Sequence, residues 1–237
     1  MVVGGWTVPL ISMPCWSVPC IINSWMLIQY AVVLTIINKH VEWVNDAILK
    51  LGNIDTDVNS KTVFDTKTPL GEPIIEDIIN MNYVHKKLCD ISQDIENFYA
   101  FPVLLGIIYL TATTIFQLRF MIISLTTTSY GFPPTLIYAD SGSWSLIALL
   151  NLVFLTANVT KTTKEFKKTP LYVHLLLDRC TTDSKTEQAL IEFSRDLLHR
   201  NVEFSTYGII VLDGSLLHSI FGTTVTYLII LTQFRVR

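Results

Sequence analysis

The residues of this chain best suited to chemistry lie near its carboxyl end, where an amide stands within an apolar stretch. On an α-helix a polar side chain deep in such a stretch is costly unless it meets protein or water. Gln233 therefore either faces a water-filled path or makes a hydrogen bond to a neighbouring helix. The residues that share its helical face, at i, i+4, i+7 and i+8, are Thr226, Ile230, Gln233 and Phe234.

A second group of side chains has the chemistry of a small-molecule pocket. Aromatic rings and an amide suit a small polar ligand in an exterior-facing cavity. Aromatic residues near the ends of apolar stretches are also typical of the belts found at membrane interfaces, and this alternative stays open. The candidate ligand-binding residues are Trp25, Tyr30, Trp144 and Asn151.

The sequence lacks the common motifs of enzymes and of metal sites. The phosphate-binding GxxxxGK[ST], dinucleotide-binding GxGxxG, zinc-binding HExxH and nucleophile-elbow GxSxG patterns do not occur. Cys15, Cys20, Cys89 and Cys180 have no CxxC spacing, although Cys15 and Cys20 could pair if exported. His85 and Cys89 lie four residues apart, and two groups do not make a metal site. We expect no enzymatic activity, no metal and no cofactor.

The composition of the chain indicates that much of its surface is surrounded by an apolar medium and not by water. The 237 residues are 50% hydrophobic and 16% charged, with a mean hydropathy of +0.45, whereas soluble domains have roughly 25% charged residues. The net charge of -3 and a pI near 5.9 argue against nucleic acid as a partner. Membrane lipids are the expected surroundings.

Four stretches are apolar enough to cross a bilayer as helices, which need about 20 residues. The third is short and carries Asn151 and Asn158. The sequence thus predicts an all-α fold, a polytopic transmembrane helical bundle with helical cytoplasmic extensions. The predicted transmembrane segments are 18–38, 101–127, 144–160 and a last segment, 204–237, whose apolar part is 207–234 and which ends in a short exterior tail.

Basic residues predict the orientation. Segments 1–17 and 128–143 have no Lys or Arg, so the positive-inside rule places them outside the cell. Segments 39–100 and 161–203 are then cytoplasmic, and the carboxyl terminus is exterior. The basic residues of the two cytoplasmic segments are Lys39, Lys50, Lys61, Lys67, Lys86, Lys87, Lys161, Lys164, Lys167, Lys168, Arg179, Lys185, Arg195 and Arg200.

Both cytoplasmic segments contain helical patterns. A polar stretch, 52–71, reads as a linker before an amphipathic helix that continues into the second span. In the other segment Ser184 and Glu187 form a capping box, and the helix that follows is expected to run into the last span. The apolar stripe of the first helix is Ile74, Ile78, Met81, Val84, Leu88, Ile91, Ile95 and Phe98.

The carboxyl end carries a longer pattern. Thr226 and Tyr227 are followed by five residues that are apolar or carry a methyl group, and then by Gln233 and Phe234. This resembles the signature of the insect gustatory receptors, a family of seven-span chemoreceptor channels. Upstream residues fit the same resemblance: Gly208, Asp213, Leu216, Leu217, the run 219–222, and the segment HKKLCDISQDIEN at 85–97.

The resemblance implies a function. It implies a subunit of a ligand-gated, non-selective cation channel in the cell membrane that senses small-molecule tastants, as a homo- or hetero-tetramer with related receptors. Ile230 and Phe234 would form the hydrophobic constriction of the pore, and Gln233 a ring of amides. The order of spans agrees with the family's fourth to seventh. An alternative is a truncated, non-conducting protein that assembles with full-length receptors and modulates them; a G-protein-coupled receptor would need the opposite orientation.

Overall fold

The computed structural model describes residues 7–52, 72–126, 134–179, 184–200 and 202–235. Long helices account for most of this part of the chain, as the all-α prediction requires. Apolar sequences favour helices in lipid because every backbone amide is then paired within its own segment. The elements are α1 (Thr7–Leu51), α2 (Glu72–Thr126), α3 (Pro134–Arg179), α4 (Ser184–Leu198), β1 (Ser205–Thr206), β2 (Ile210–Val211) and α5 (Gly214–Arg235).

Three of these helices are long and apolar enough to cross a membrane. The qualifying segments are Ser17–Leu51, Ile75–Ile122 and Tyr138–Asp178. The first and third contain the predicted spans 18–38 and 144–160, and the second contains residues 101–122 of the predicted span 101–127. Helix α5 is shorter in its apolar part, Gly214–Ile230. The all-helical, multi-pass prediction is confirmed, and the assignment of each segment to exterior, membrane or cytoplasm stays a prediction.

Polar side chains within the apolar segments bond to their own helix. The hydroxyls of Thr111, Thr114 and Thr156 donate to the carbonyls four residues earlier at 2.8–2.9 Å. The Asn158 amide donates to the Phe154 carbonyl at 2.8 Å. Such bonds remove most of the cost of placing a hydroxyl or amide in an apolar environment.

The described chain packs as two compact units that divide it by charge. The apolar unit comprises the described residues of Met1–Val32, Asn97–Thr160 and Ser205–Arg237, and the charged unit those of Val33–Glu96 and Lys161–Phe204. Nearly all Lys, Arg, Asp and Glu residues fall within the sequence ranges of the charged unit. The exceptions are Arg119, Asp140, Asp213, Arg235 and Arg237.

In the apolar unit α1 packs closely on α2 at a glycine. A Cβ atom built on Gly106 would lie 3.4 Å from Leu27 Cδ2. The Tyr30 ring is 5.0 Å from the Tyr99 ring, so a second contact lies near the same interface. Large apolar side chains cover the outside of the unit, as expected for a surface in lipid. They include Ile21, Ile22, Leu105, Ile108, Leu149, Leu150 and Phe154.

In the charged unit a buried polar contact joins α1 to α3. The Thr169 hydroxyl donates to Asn45 Oδ1 at 2.7 Å, and Asn45 Nδ2 donates to the Glu165 carbonyl at 3.0 Å. Helix α4 is tied to α2 by Asn82 Nδ2, which donates to Asp196 Oδ2 at 3.0 Å. The predicted start of α4 at Ser184 is confirmed.

Several sequence interpretations differ from the structure. Helix α3 begins at Pro134, so the second half of the predicted loop 128–143 is helical. The α4 helix does not run into the last span, because a hairpin of β1 and β2 intervenes and α5 begins only at Gly214. The predicted linker 52–71 lies outside the described residues after Gly52.

The predicted apolar stripe of α2 is correct only in part. Ile78 and Leu88 are buried, but Val84 and Ile91 are exposed. A stripe with an average spacing below 3.6 residues drifts around a straight helix, so its members leave the packed face. The buried residues that occupy that face beside Ile78 and Leu88 are His85, Cys89 and Ser92.

Candidate functional site

Helix α5 carries the candidate site, and its start is set by Asp213. The carboxylate of Asp213 accepts a hydrogen bond from the Ser215 backbone N–H at 2.9 Å, and its carbonyl accepts one from the Leu216 N–H at 3.2 Å. This is the arrangement of a helix N-cap, which pairs donors that the first turn leaves free. The cap fixes where α5 begins and therefore the height of every later residue along it.

Most of α5 is exposed. Among its described side chains only Leu216 and Thr224 are buried. At 100° per residue Gln233 and Thr226 project opposite Thr224, and both are exposed. Ile230, 42% exposed, lies on that same side. The side chain of Phe234 lies outside the described residues.

Three further residues extend this face toward the start of the helix. Ser219, Gly222 and Thr223 precede Thr226 by three to seven positions and are exposed. The Thr223 hydroxyl donates to the Ser219 carbonyl at 2.8 Å, so it needs no partner outside the helix. We call the set Ser219, Gly222, Thr223, Thr226, Ile230 and Gln233 the open face of α5.

Sequence reasoning missed the first three members of the open face. Their spacing from Thr226 carried the signal, because small or hydroxylated residues recur at three- and four-residue intervals. Tyr227 of the family signature projects about 100° from Thr226 and is also exposed. The open face thus consists of small and hydroxylated residues along the first part of the helix. Near the end of the helix it consists of the aliphatic Ile230 and the amide Gln233.

The four predicted ligand-binding residues lie on two helices, Trp25 and Tyr30 on α1 and Trp144 and Asn151 on α3. Trp25 is 61% exposed, whereas Tyr30 is 1% exposed and packs on Tyr99. Trp144 and Asn151 lie on α3, seven residues apart and both partly buried. Of the four, Tyr30 and Asn151 take part in packing or hydrogen bonding between helices.

Asn151 instead joins α3 to α1. Its Nδ2 donates to Ser24 Oγ at 2.8 Å. One residue earlier on α1, Asn23 Nδ2 donates to the Pro19 carbonyl at 2.9 Å. The Ser145 hydroxyl is buried and has no hydrogen-bond partner among the described residues. Each of these polar groups belongs to the apolar unit. Ser24, the partner of Asn151, could not be identified from sequence because the contact is long-range.

The charged unit has a cleft of about 620 Å³ between α2 and the residues that follow α4. Across it Arg200 Nη1 donates to Asp90 Oδ1, and this bond lowers the pKa of Asp90. The guanidinium is held by that carboxylate, so the cleft presents mainly acidic and amide groups. Its lining is Cys89, Asp90, Gln93, Glu96, His199, Arg200, Val202 and Glu203.

His85 and Cys89 are buried in the charged unit, outside the predicted spans. His85 Nδ1 lies 3.6 Å from Cys89 Sγ, and its ring packs edge-on against Phe166 and Phe193. Burial, with a smaller effect of Arg200, lowers the pKa of His85 to about 4. Burial raises the pKa of Cys89 to about 11. Both groups are therefore neutral near pH 7, which suits a packed core and not a nucleophile.

No metal centre is found in the part of the chain that the structure describes. No three His, Cys, Asp or Glu side chains there are grouped so that they could hold an ion. The site is therefore defined by the open face of α5 and by the apolar unit around it. On this helix Leu216 and Thr224 are buried, whereas the residues of the open face are exposed.

A helical, multi-pass receptor fold is also what the comparisons with known proteins indicate. The sequence model of the family described as 7tm Chemosensory receptor matches residues 2–236. The chain belongs to the 7tm chemosensory receptor family.

Its similar proteins include three gustatory receptors of Drosophila melanogaster. The protein named "Putative gustatory receptor 28a" is 29% identical over 184 residues, which is 71% of this chain and 40% of that protein. "Putative gustatory receptor 28b" is 32% identical over 89 residues, 38% of this chain and 19% of that protein. "Gustatory receptor for bitter taste 66a" is 26% identical over 167 residues, 67% of this chain and 30% of that protein. The alignments thus cover at most about two fifths of these relatives, and the resemblance to insect gustatory receptors is confirmed.

Proposed function

We propose that the chain is a subunit of a ligand-gated, non-selective cation channel for chemical sensing, and that the open face of α5 lines its conducting path. The observation that carries the proposal is the exposure of Gln233 and Thr226 on the side of α5 opposite the buried Thr224. In a lone subunit within a bilayer this side would place an amide against hydrocarbon. That placement is unfavourable, so the face calls for water or for other subunits.

An assembly of several subunits around a common axis meets this requirement. Bringing the open faces together would enclose a narrow space lined by hydroxyls and glycine toward the start of α5. Ile230 and Phe234 would then form an apolar constriction that closes by excluding water, and Gln233 would offer neutral amide oxygens to partly dehydrated cations. A neutral ring supports weak selectivity among monovalent cations. Four subunits, identical or mixed with related receptors, are the proposed number.

The proposed ligand is a small-molecule tastant. Support comes from the family and from polar atoms inside the apolar unit, where Asn151 meets Ser24 and the Ser145 hydroxyl is unpaired. Trp25 and Trp144, the sequence neighbours of Ser24 and Ser145, remain candidate ligand contacts. Tyr30 and Asn151 instead contact residues of neighbouring helices. The proposed location is the cell membrane, with the carboxyl terminus outside.

Gln233→Glu tests the proposal. A ring of carboxylates in place of amides would attract cations, so we expect a higher permeability to divalent relative to monovalent cations. Whole-cell currents would be recorded from the chain alone and beside a full-length gustatory receptor. Gln233→Leu is the matched control, because it removes the amide without adding charge, and it should lower the conductance.

An unchanged permeability ratio in Gln233→Glu would place residue 233 away from the conducting path. If the chain reaches the surface but carries no current in either setting, the channel proposal fails. A change in the partner's current without any effect of the residue 233 variants would instead support a modulatory, non-conducting subunit.

A further inference from the structure

The segment between α4 and α5 is an exposed apolar hairpin. Strands β1 and β2 are antiparallel, with Ser205 opposite Val211 and Thr206 opposite Ile210. The side chains of Tyr207, Ile209 and Val211 are 61%, 73% and 48% exposed. Thr206, which pairs with Ile210 beside the turn, and Leu212, which follows β2, are fully buried. The buried side chains of Thr206 and Leu212 therefore hold the hairpin in place, and with it the three exposed side chains.

The hairpin satisfies its own backbone at the tip. The Ile209 N–H donates to the Thr206 carbonyl at 3.0 Å, and the Gly208 N–H donates to the Ser205 hydroxyl at 3.1 Å. Internal pairing of this kind is what a region of low water content requires of a backbone. An edge of this kind in water would ordinarily carry charged residues that prevent pairing with other chains. The segment 205–211 has none.

The backbone at the tip places an aromatic ring in an unusual position. Tyr207 has a φ of 54° and Gly208 a φ of 68°. The left-handed region is ordinary for glycine but strained for tyrosine, and the side chain of Tyr207 is exposed. Tyrosine is enriched where lipid headgroups meet hydrocarbon, with its ring in the apolar layer and its hydroxyl in the polar one.

The position of the hairpin in the chain identifies the partner. It belongs to the apolar unit, whose surface is covered by apolar side chains, and it begins at the residue where the charged unit ends, Phe204 and Ser205 being neighbours. The chain therefore passes from charged to apolar sequence at this hairpin. Its exposed side chains continue the lipid-facing surface of the apolar unit up to Asp213, the cap of α5.

From these observations we infer that the hairpin 205–211 is an interfacial lipid anchor. Tyr207, Ile209 and Val211 insert into the boundary between headgroups and acyl chains of the leaflet that faces the start of α5. The partner is the phospholipid bilayer. The contact fixes the first turn of α5 relative to the membrane surface, and it does not depend on whether the subunit conducts.

Photo-crosslinking tests the inference. Ile209 would be replaced by p-benzoylphenylalanine, and the whole chain reconstituted in vesicles of phosphatidylcholine and phosphatidylserine. After irradiation, mass spectrometry would measure the fraction of chains that carry one phospholipid. The control places the same probe at Leu198, which is also highly exposed but lies in the charged unit. We expect several-fold more lipid adduct at 209 than at 198.

A second probe position guards against a local folding defect. The same probe at Val211 should also form lipid adducts, and circular dichroism would verify the helical content of each variant. Crosslinking of position 209 to a second copy of the chain, seen as a covalent dimer, would overturn the inference in favour of a subunit contact. Equal lipid yields at 209 and 198, or no adduct at 209 and 211, would also overturn it.

Discussion

His85 of the charged unit shows how one buried side chain makes stability depend on pH. Its ring is 3% exposed and is flanked by Phe166 and Phe193, and its Nε2 atom has no hydrogen-bond partner among the described residues. Cys89, at its Nδ1, is neutral, and the charge that acts on the ring is that of Arg200, which is paired with Asp90. A proton on this ring would therefore be poorly solvated and close to a guanidinium.

The sign of the pH effect follows from the two protonation states. The unfolded chain binds a proton on His85 below pH 6.5, whereas in the folded chain the pKa is about 4. Between these values the unfolded state holds more protons, so stability is lost as the pH falls from 6.5 toward 4. The loss is at most about 1.4 kcal/mol for each pH unit in this window.

His85→Leu should flatten this pH dependence. Thermal unfolding of the detergent-solubilised chain, followed at pH 7 and pH 4.5, would measure it. We expect a smaller decrease in Tm for His85→Leu than for the unsubstituted chain. His40→Leu controls for the loss of a histidine at an exposed position. Equal decreases in the unsubstituted chain and in His85→Leu would show that His85 is not the group responsible.

At the scale of the helices, a polar contact in the charged unit replaces part of the usual apolar packing. Asn45 on α1 accepts a hydrogen bond from the Thr169 hydroxyl of α3, and its amide nitrogen donates to the Glu165 carbonyl. Both Asn45 and Thr169 are buried. A buried pair of this kind is only modestly stabilising while complete, but removing one member leaves the other unpaired.

Asn45→Ala should therefore cost about 1–3 kcal/mol of unfolding free energy. Thr169→Val should also destabilise, and the double variant should cost less than the sum of the two, because no unpaired hydroxyl then remains. Chemical denaturation in detergent would provide the three free energies. Thr169→Ser retains the hydroxyl and serves as the control. Additive costs would mean that the bond does not couple the two helices.

The same scale shows which elements sequence reasoning can predict. The first three spans were predicted from apolar runs as long as a bilayer requires, and α4 was predicted from the Ser184 and Glu187 capping box. The hairpin was missed because 207–211 is apolar and reads as the start of the last span. Within 207–211, Gly208 was the only residue typical of a turn. A single glycine is weak evidence for a turn when the residues after it are continuously apolar.

Site residues divide in a similar way. Thr226, Ile230 and Gln233 could be placed on one face because helical spacing alone determines it. The ligand-binding candidates could not be placed, because whether Tyr30 meets Tyr99 or Asn151 meets Ser24 depends on how α1, α2 and α3 pack. Such contacts between distant parts of the sequence leave no local pattern.

At the scale of the whole molecule, the separation of charge is the main physical feature. The apolar unit has few charged residues, and its outer surface is hydrophobic, while the charged unit carries nearly all of the Lys, Arg, Asp and Glu. A bilayer and the water beside it would solvate two such units separately. Within the apolar unit, the surface of α5 combines exposed apolar side chains with the exposed polar residues of the open face.

The central claim is that this open face lines a conducting path, and cysteine accessibility tests it most directly. Ser219→Cys and Thr226→Cys would be compared with Leu217→Cys and Leu228→Cys, which lie toward the packed side of α5. Each would be expressed beside a full-length gustatory receptor, and a charged methanethiosulfonate reagent applied during recording. We predict a loss of current at residues 219 and 226 and none at 217 and 228. Equal effects on both sides of the helix, or no effect at 219 and 226 in a current that the chain carries, would contradict the account.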